Sequence, residues 1–249
     1  MRLSEGKIRE IISVVRRACL DAGVDYDTLT SGVVPLFEIM GAFPLRVAEL
    51  PDRKPLTAQS AIKFLGHETG QELPTPSNGD RPLSGFIYVF EYEGFLNGCI
   101  LTDANDPVTR RRFSAAHELA HYLLHFLPYL EELRREGMSE ALILTEGVTF
   151  ENGGEAGGEP AAEMTAIQGV DSFQRLTLKT TPAMEREANR FAAELLMPAH
   201  ACEAKAQQYV KRFGTGRKVV ARKLATDFFV SSEAMKWRLK ELGLYTAQD

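Results

Sequence analysis

Residues 110–125, RRRFSAAHELAHYLLH, constrain the fold more than any other stretch of this chain. Three of its five histidines, His117, His121 and His125, fall here within nine residues, together with Glu118. Phe113, Ala116, Ala120, Tyr122 and Leu124 make the segment largely apolar. As a helix it has to be buried, so whatever packs on it must satisfy the imidazoles. An α-helix turns about 100° and rises about 1.5 Å per residue. His117 and His121 therefore lie about 40° apart around the axis and roughly 6 Å apart along it. At that spacing two rings can converge on one ion, with Zn–N bonds of about 2.0–2.1 Å. Glu118, on the edge of the same face, is too constrained to be a good third ligand but can reach a water held by the ion. The same residues also read as a core helix whose histidines are satisfied by hydrogen bonds, and HExxH alone occurs in unrelated proteins. His125 stands roughly 12 Å along the axis from His117. That is too far for the same ion, and it reads as a helix-end histidine or as one that backs a ligand.

Catalytic zinc usually takes three protein ligands and keeps one open position. The best source of a third is TPAMEREANRFAAELLMP, residues 181–198. Glu185 shares a helix face with Ala188, Asn189, Ala192 and Leu196, small residues that suit close packing against another helix. Asn189 lies one turn beyond Glu185, placed to hold a ligand imidazole from behind. Glu187 lies off that stripe, with Arg190 and Glu194 nearby. Glu185 is the preferred third ligand. Both glutamates also read as helix-dipole partners in a first turn.

The remaining sequence bounds the class. A chain of 249 residues can bury a sizeable core as one large domain or two small ones. With 44% hydrophobic and 25% charged residues it fits a globular protein rather than a disordered or membrane chain. A net charge of −5 gives no global polybasic signature. Charge is uneven: residues 131–172 carry ten acids and two bases, residues 210–241 nine bases and three acids. The basic end suits an anionic partner or a solvated helical face. Cys19, Cys99 and Cys202 are far apart with no CxxC, which argues against disulfides and against a cysteine metal site. The N-terminal MRLSEGKIREIISVVRR is too interrupted by charge for a signal peptide, and no apolar run is long enough to span a membrane. A cytoplasmic location is expected.

Along the chain, Ser4 is the expected N-cap of a helix carrying Ile8, Ile11, Ile12, Val15, Cys19 and Leu20, ended at Asp21-Ala22-Gly23. A second helix is expected around Val34–Met40, stopped at Gly41. Residues 51–83, rich in Pro, Gly, Ser and Thr, read mainly as loop. Residues 85–91 and 95–102 read as a β-hairpin turning at Tyr92-Glu93-Gly94. Asp106 as cap and Pro107 at the first position open the HELAH helix, which should stop near Pro128. Residues 129–181 read as an insertion whose middle, with ENGGEAGGEPAAE, is acidic and mobile. Thr181-Pro182 then opens a helix to Met197, another follows to about Gly214, and two short helices close the chain around 217–227 and 232–242.

The pair RRRFSAAHELAHYLLH and EREANRFAAELLMP resembles the ImmA/IrrE family of metallo-endopeptidases over about residues 85–126 and 182–243. The resemblance implies an α+β, mostly helical fold: a zincin-like core on the HExxH helix, a small β-hairpin or sheet, and a C-terminal helix-turn-helix-like segment. Residues 1–83 would form an N-terminal helical region and loop, 84–200 the peptidase core with its insertion, and 201–249 the C-terminal helices. It makes His117, His121 and Glu185 the metal ligands and Glu118 the catalytic base. The ion implied is zinc, with manganese the alternative that the ligand types allow. It further implies cleavage of a helix-turn-helix repressor in a bacterial stress-response or mobile-element circuit. The chain departs from the family pattern in the separation of His121 and Glu185, 64 residues apart, where the insertion sits. Tyr122, His200 and Arg110 to Arg112 are candidates by position for a further oxyanion donor. In KLATDFFVSSEAMKWRLKELGL, a turn at Val230-Ser231 separates two helices, and Lys236, Arg238 and Lys240 can meet phosphates. A weak DNA contact is one reading of this segment; a packing module, or a dock for the repressor, is another. The competing functional class is a non-catalytic DNA- or repressor-binding regulator with a structural metal. An intact Glu118 favours the enzyme, because a structural site has no use for a carboxylate beside its ligands.

Overall fold

The computed structural model describes residues 3–29, 32–50, 54–70, 81–92, 95–135, 143–148, 181–213 and 217–244. Helix α1, Glu5–Asp21, begins where the Ser4 hydroxyl accepts from the Lys7 N–H, and buries Ile11, Val15, Ala18 and Cys19 at helical spacing. Helix α2, Leu36–Met40, is two residues shorter than the sequence pattern suggests. Val34 precedes Pro35, and the residue before a proline is pushed out of the helical region.

Four strands form one sheet in the order β1-β3-β2-β4: β1 is Leu45–Leu50, β2 Gly85–Tyr92, β3 Phe95–Asp103 and β4 Ile143–Val148. The expected hairpin is β2–β3, antiparallel with Ile87 opposite Ile100. β1 runs parallel to β3, Val47 opposite Ile100, and β4 runs antiparallel to β2. Side chains alternate across the sheet. Ile87, Val89 and Ile100 enter the main core, while Phe86, Tyr88, Cys99 and Leu101 enter a second one on the opposite face.

That second core corrects the loop reading of residues 51–83. Helix α3, Ala58–Thr69, buries Ala61, Ile62 and Leu65 against the outer face of the sheet. Its start is a capping box: Thr57 accepts from the Ser60 N–H, and the Ser60 hydroxyl accepts from the Thr57 N–H. A sheet with apolar side chains on both faces needs such a cover.

The HELAH helix is α4, Val108–His121. Pro107 is its cap residue rather than its first turn, and Asp106 makes no side-chain cap; it pairs with Arg110 at 3.4 Å instead. Nor does the helix stop near Pro128. A π turn, Tyr122–Phe126, leads into α5, Leu127–Arg135. Pro128 has no N–H to give, and its ring crowds the carbonyl four residues back. The wider turn just before it relieves that crowding and lets the helix continue. Of the expected insertion, α5 and β4 are described; ENGGEAGGEPAAE lies outside the described residues.

Helix α6, Pro182–Leu196, starts as expected, with the Thr181 hydroxyl accepting from the Met184 N–H. It packs against α4. Helices α7, Ala199–Phe213, α8, Arg217–Phe228, and α9, Ser232–Glu241, complete the chain, α9 capped by Ser231. The main core draws on Ile11 and Val15, on Ala116 and Leu195, and on Leu224 and Leu239, and so runs through all three of the expected segments. The turn between α8 and α9 closes with Phe229 at φ 52 and the Val230 N–H on the Ala225 carbonyl at 2.9 Å. Arg238, expected among phosphate-facing side chains, is buried instead. It donates to the Met197 carbonyl at 3.0 Å and to Glu194 at 2.5 Å. No helix among the described residues is long and apolar enough to cross a membrane.

Candidate metal centre

The last two turns of α4 and the first three turns of α6 meet face to face. Ala116 and Ala120 on one side and Ala188 and Ala192 on the other, all buried, are small enough to let the two backbones approach closely. This contact buries His117, His121, Glu118 and Glu185 almost completely. The ligand atoms of His117, His121 and Glu185 all lie within 4.8 Å of one another. The two Nε2 atoms are 2.9 Å apart, His117 Nε2 is 3.3 Å from Glu185 Oε2, and His121 Nε2 is 3.5 Å from Glu185 Oε1. A tetrahedral ion with bonds of about 2.0–2.1 Å holds its ligand atoms about 3.3 Å apart. The three side chains therefore fit a zinc-sized ion with little adjustment.

Each imidazole is held from behind. Read with Asn189 Oδ1 as acceptor at 3.1 Å, His117 keeps its proton on Nδ1 and turns the Nε2 lone pair to the centre. This is the placement that the one-turn offset of Asn189 from Glu185 suggests. His121 Nδ1 lies 3.0 Å from His125 Nδ1, and His125 Nε2 lies 3.3 Å from Glu187 Oε2. His125 thus backs His121, and Glu187, the less favoured of the two glutamates, meets His125 rather than the centre.

Glu118 is fully buried, and neither carboxylate oxygen has a hydrogen-bond partner among the described residues. Burial, and then the charge of Glu185, raises its carboxyl well above the ordinary value. Such a group is expensive to hold without a ligand-bound water or a substrate to engage it. Burial, followed by His117 and His125, lowers His121 well below an ordinary histidine, so it is neutral, as a metal ligand must be. Burial also lowers His125, against the opposing pull of Glu187.

Sequence reasoning missed how tightly the sheet adjoins this site. A Cβ at Gly85, the first residue of β2, would stand 2.5 Å from Glu118 Oε1. The only local hint is a glycine where a strand begins. Of the side chains considered for a further oxyanion donor, the three arginines are engaged elsewhere, whereas His200 and Tyr122 make ring contacts and His200 Nε2 has no hydrogen-bond partner among the described residues. Arg110 pairs with Asp106, Arg111 with Glu49, and Arg112 donates to the Val34 carbonyl. His200 meets the Tyr26 ring edge-on, and Tyr122 packs edge-on against Phe43.

A helical domain with a small sheet, two helices joined through a His-His-Glu cluster and a buried carboxylate beside it defines a class, the metallopeptidase-like proteins. Residues 77–141 and 167–240, together more than half of the chain, match peptidase family M78, described as the IrrE N-terminal-like domain. The chain belongs to this family, and the family implies a metal. No curated protein matches the sequence.

Proposed function

We propose that this chain is a zinc-dependent endopeptidase in which His117, His121 and Glu185 hold the ion and Glu118 is the general base. The observation that carries the reading is Glu118: a fully buried carboxylate with no hydrogen-bond partner among the described residues, beside three converging side chains of ligand type. Zinc, when bound, lowers the pKa of a water to about 7 and polarises the scissile carbonyl. Glu118 takes the proton from the attacking water and delivers it to the leaving amine. Asn189 keeps the His117 ring oriented. The raised carboxyl of Glu118 suits both halves of that cycle, because a base with too low a pKa cannot retain the proton it must pass on. A structural site would have no need of this group.

The substrate in this proposal is a protein, a helix-turn-helix transcriptional repressor, and the setting a bacterial stress-response or mobile-element circuit. Lys218, Arg222, Lys223, Lys236 and Lys240 on α8 and α9 give a basic surface able to dock an acidic face of that repressor or to make a weak DNA contact. Three buried, unpaired cysteines suit a reducing, cytoplasmic setting. The test measures metal content and repressor cleavage for the full chain and for His117→Ala, His121→Ala and Glu118→Gln. The expected result is about one zinc per chain, lost in both histidine variants and kept in Glu118→Gln, which cleaves nothing. Unchanged metal in the histidine variants, or full cleavage by Glu118→Gln, overturns the assignment.

A further inference from the structure

His121 and His117 are backed in different ways. Behind His117 is a single amide, Asn189, one turn along α6 from Glu185. Behind His121 is a chain of three side chains from three elements: His125 in the π turn, Glu187 on α6 and Lys7 on α1, whose Nζ lies 3.8 Å from Glu187 Oε2. His125 is buried, and both of its ring nitrogens are used.

The chain has a direction. Glu187 Oε2 can only accept, so His125 Nε2 carries the proton. In a neutral imidazole the other nitrogen is then a lone pair, so His125 Nδ1 accepts. Its partner at 3.0 Å, His121 Nδ1, must donate. That leaves the lone pair of His121 on Nε2, the atom that faces His117 and Glu185. Without this chain, His121 is free to take the other tautomer, with an N–H pointing where a metal ligand needs a lone pair.

The π turn contributes to the alignment. In a continuous α-helix each four-residue step overshoots a full turn by about 40°, so His125 would drift further from the line of His117 and His121. Over Tyr122–Phe126 the Leu127 N–H bonds the Tyr122 carbonyl five residues back, and the turn is wider. The step to His125 then falls back instead of running ahead.

We propose that His125 and Glu187 are positioning residues for the metal centre, fixing the tautomer of His121 so that its Nε2 lone pair is presented to the ion. This rests on His121 being a ligand, as proposed above. Neither side chain touches the ion or the substrate.

The experiment measures zinc affinity of the full chain by chelator competition, with thermal melting of the metal-free proteins as a folding control. His125→Leu removes the acceptor for His121 and is expected to weaken zinc by about 10–100-fold. His125→Asn restores an acceptor oxygen at the position of Nδ1 and is expected to bind within a few-fold of wild type. Glu187→Leu is expected to weaken zinc in the wild-type background but to change nothing further in His125→Asn, where its partner atom is gone. Nitrogen-15 NMR of the metal-free wild type should find His121 protonated on Nδ1 and His125 on Nε2, a readout that needs no variant to fold. Equal affinities for wild type and His125→Leu, equal weakening by Leu and Asn, or a His121 proton on Nε2 overturns the proposal. Failure of the ligand reading itself looks different: His121→Ala then binds zinc as tightly as wild type.

Discussion

Glu118 and Gly85 show how much can turn on one atom's position. The Glu118 carboxylate has no donor to stabilise its charge among the described residues, so in the metal-free chain it is a burden on the fold. Glu118→Gln removes the charge and keeps the shape. Its metal-free form is expected to melt at the wild-type temperature or above, while peptidase activity falls by at least about 100-fold. Calorimetry of the metal-free protein with a cleavage assay of the loaded one checks both halves; a large loss of melting temperature would mean that Glu118 has a stabilising partner. Gly85 is expected to give the complementary result. Its added methyl in Gly85→Ala meets the far end of a flexible side chain rather than backbone, so Glu118 shifts and the fold survives. Activity should drop about tenfold or more, because a misplacement of about 1 Å can cost up to about 100-fold. Zinc content should hold. The three cysteines are the inert counterpart. Burial pushes the thiols of Cys19 and Cys99 up to about 11 and that of Cys202 up to about 12. A thiol reagent at neutral pH is expected to label none of them in the native chain and all three once it is unfolded; fast labelling of the native chain contradicts this burial.

At the scale of elements, what could be read from the sequence was what is locally encoded. Ser4, Thr181 and Ser231 announce their helices because a cap is made within three residues. The HELAH spacing and the small-residue stripe behind Glu185 carry the candidate metal centre in the same way. α3 was hidden because Pro- and Gly-rich residues flank it, and composition averaged over 51–83 outweighed the i, i+3, i+4, i+7 run of Ala58, Ala61, Ile62 and Leu65. The missed clue lay elsewhere: GFIYVFE is apolar at consecutive positions, which requires a cover on each face of β2. β1 and β4 are six-residue strands whose pairing is a tertiary fact. The His125–Glu187 contact spans 62 positions and depends on a π turn, so no local pattern reveals it. α3 makes a direct prediction. Leu65→Ala opens a cavity in the outer core and should cost about 2–5 kcal/mol. Because Leu65 packs on the sheet face opposite α4, zinc content of the folded fraction should be unchanged. Denaturant unfolding with metal analysis decides it; a loss below about 1 kcal/mol would mean that α3 is a loosely attached flap.

At the scale of the whole molecule, the two ends of the chain are tied together through the helix that carries Glu185. Glu194, nine residues further along α6 and buried, accepts from the Tyr26 hydroxyl at 2.5 Å, from the Ala199 N–H at 3.1 Å and from Arg190 at 3.0 Å. Arg238 of α9 adds a fourth bond at 2.5 Å and reaches Glu241 at 2.8 Å, and Arg190 pairs with Glu241 as well. Burial alone would push the Glu194 carboxyl up, but Arg238, Tyr26 and the Ala199 N–H outweigh it and hold the group below its ordinary value. A carboxyl that titrates lower in the folded than in the unfolded chain stabilises the fold above its unfolded value, about 4.3. That contribution is lost as pH falls through the folded value. Wild type should therefore lose stability between about pH 5 and the folded value more steeply than Glu194→Gln, which has no carboxyl to titrate there. Arg238→Met leaves Glu194 buried without its main cation and should cost about 3–5 kcal/mol at neutral pH. The double variant Arg238→Met with Glu194→Gln should cost less than the sum of the two single changes, because once the charge is gone the missing guanidinium matters less. Strict additivity in denaturant unfolding would show that the network does not act as a unit. Coupling between the two would place the anchoring of α9, and with it the seating of α6 behind Glu185, in the buried pair of Glu194 and Arg238, 44 positions apart in sequence.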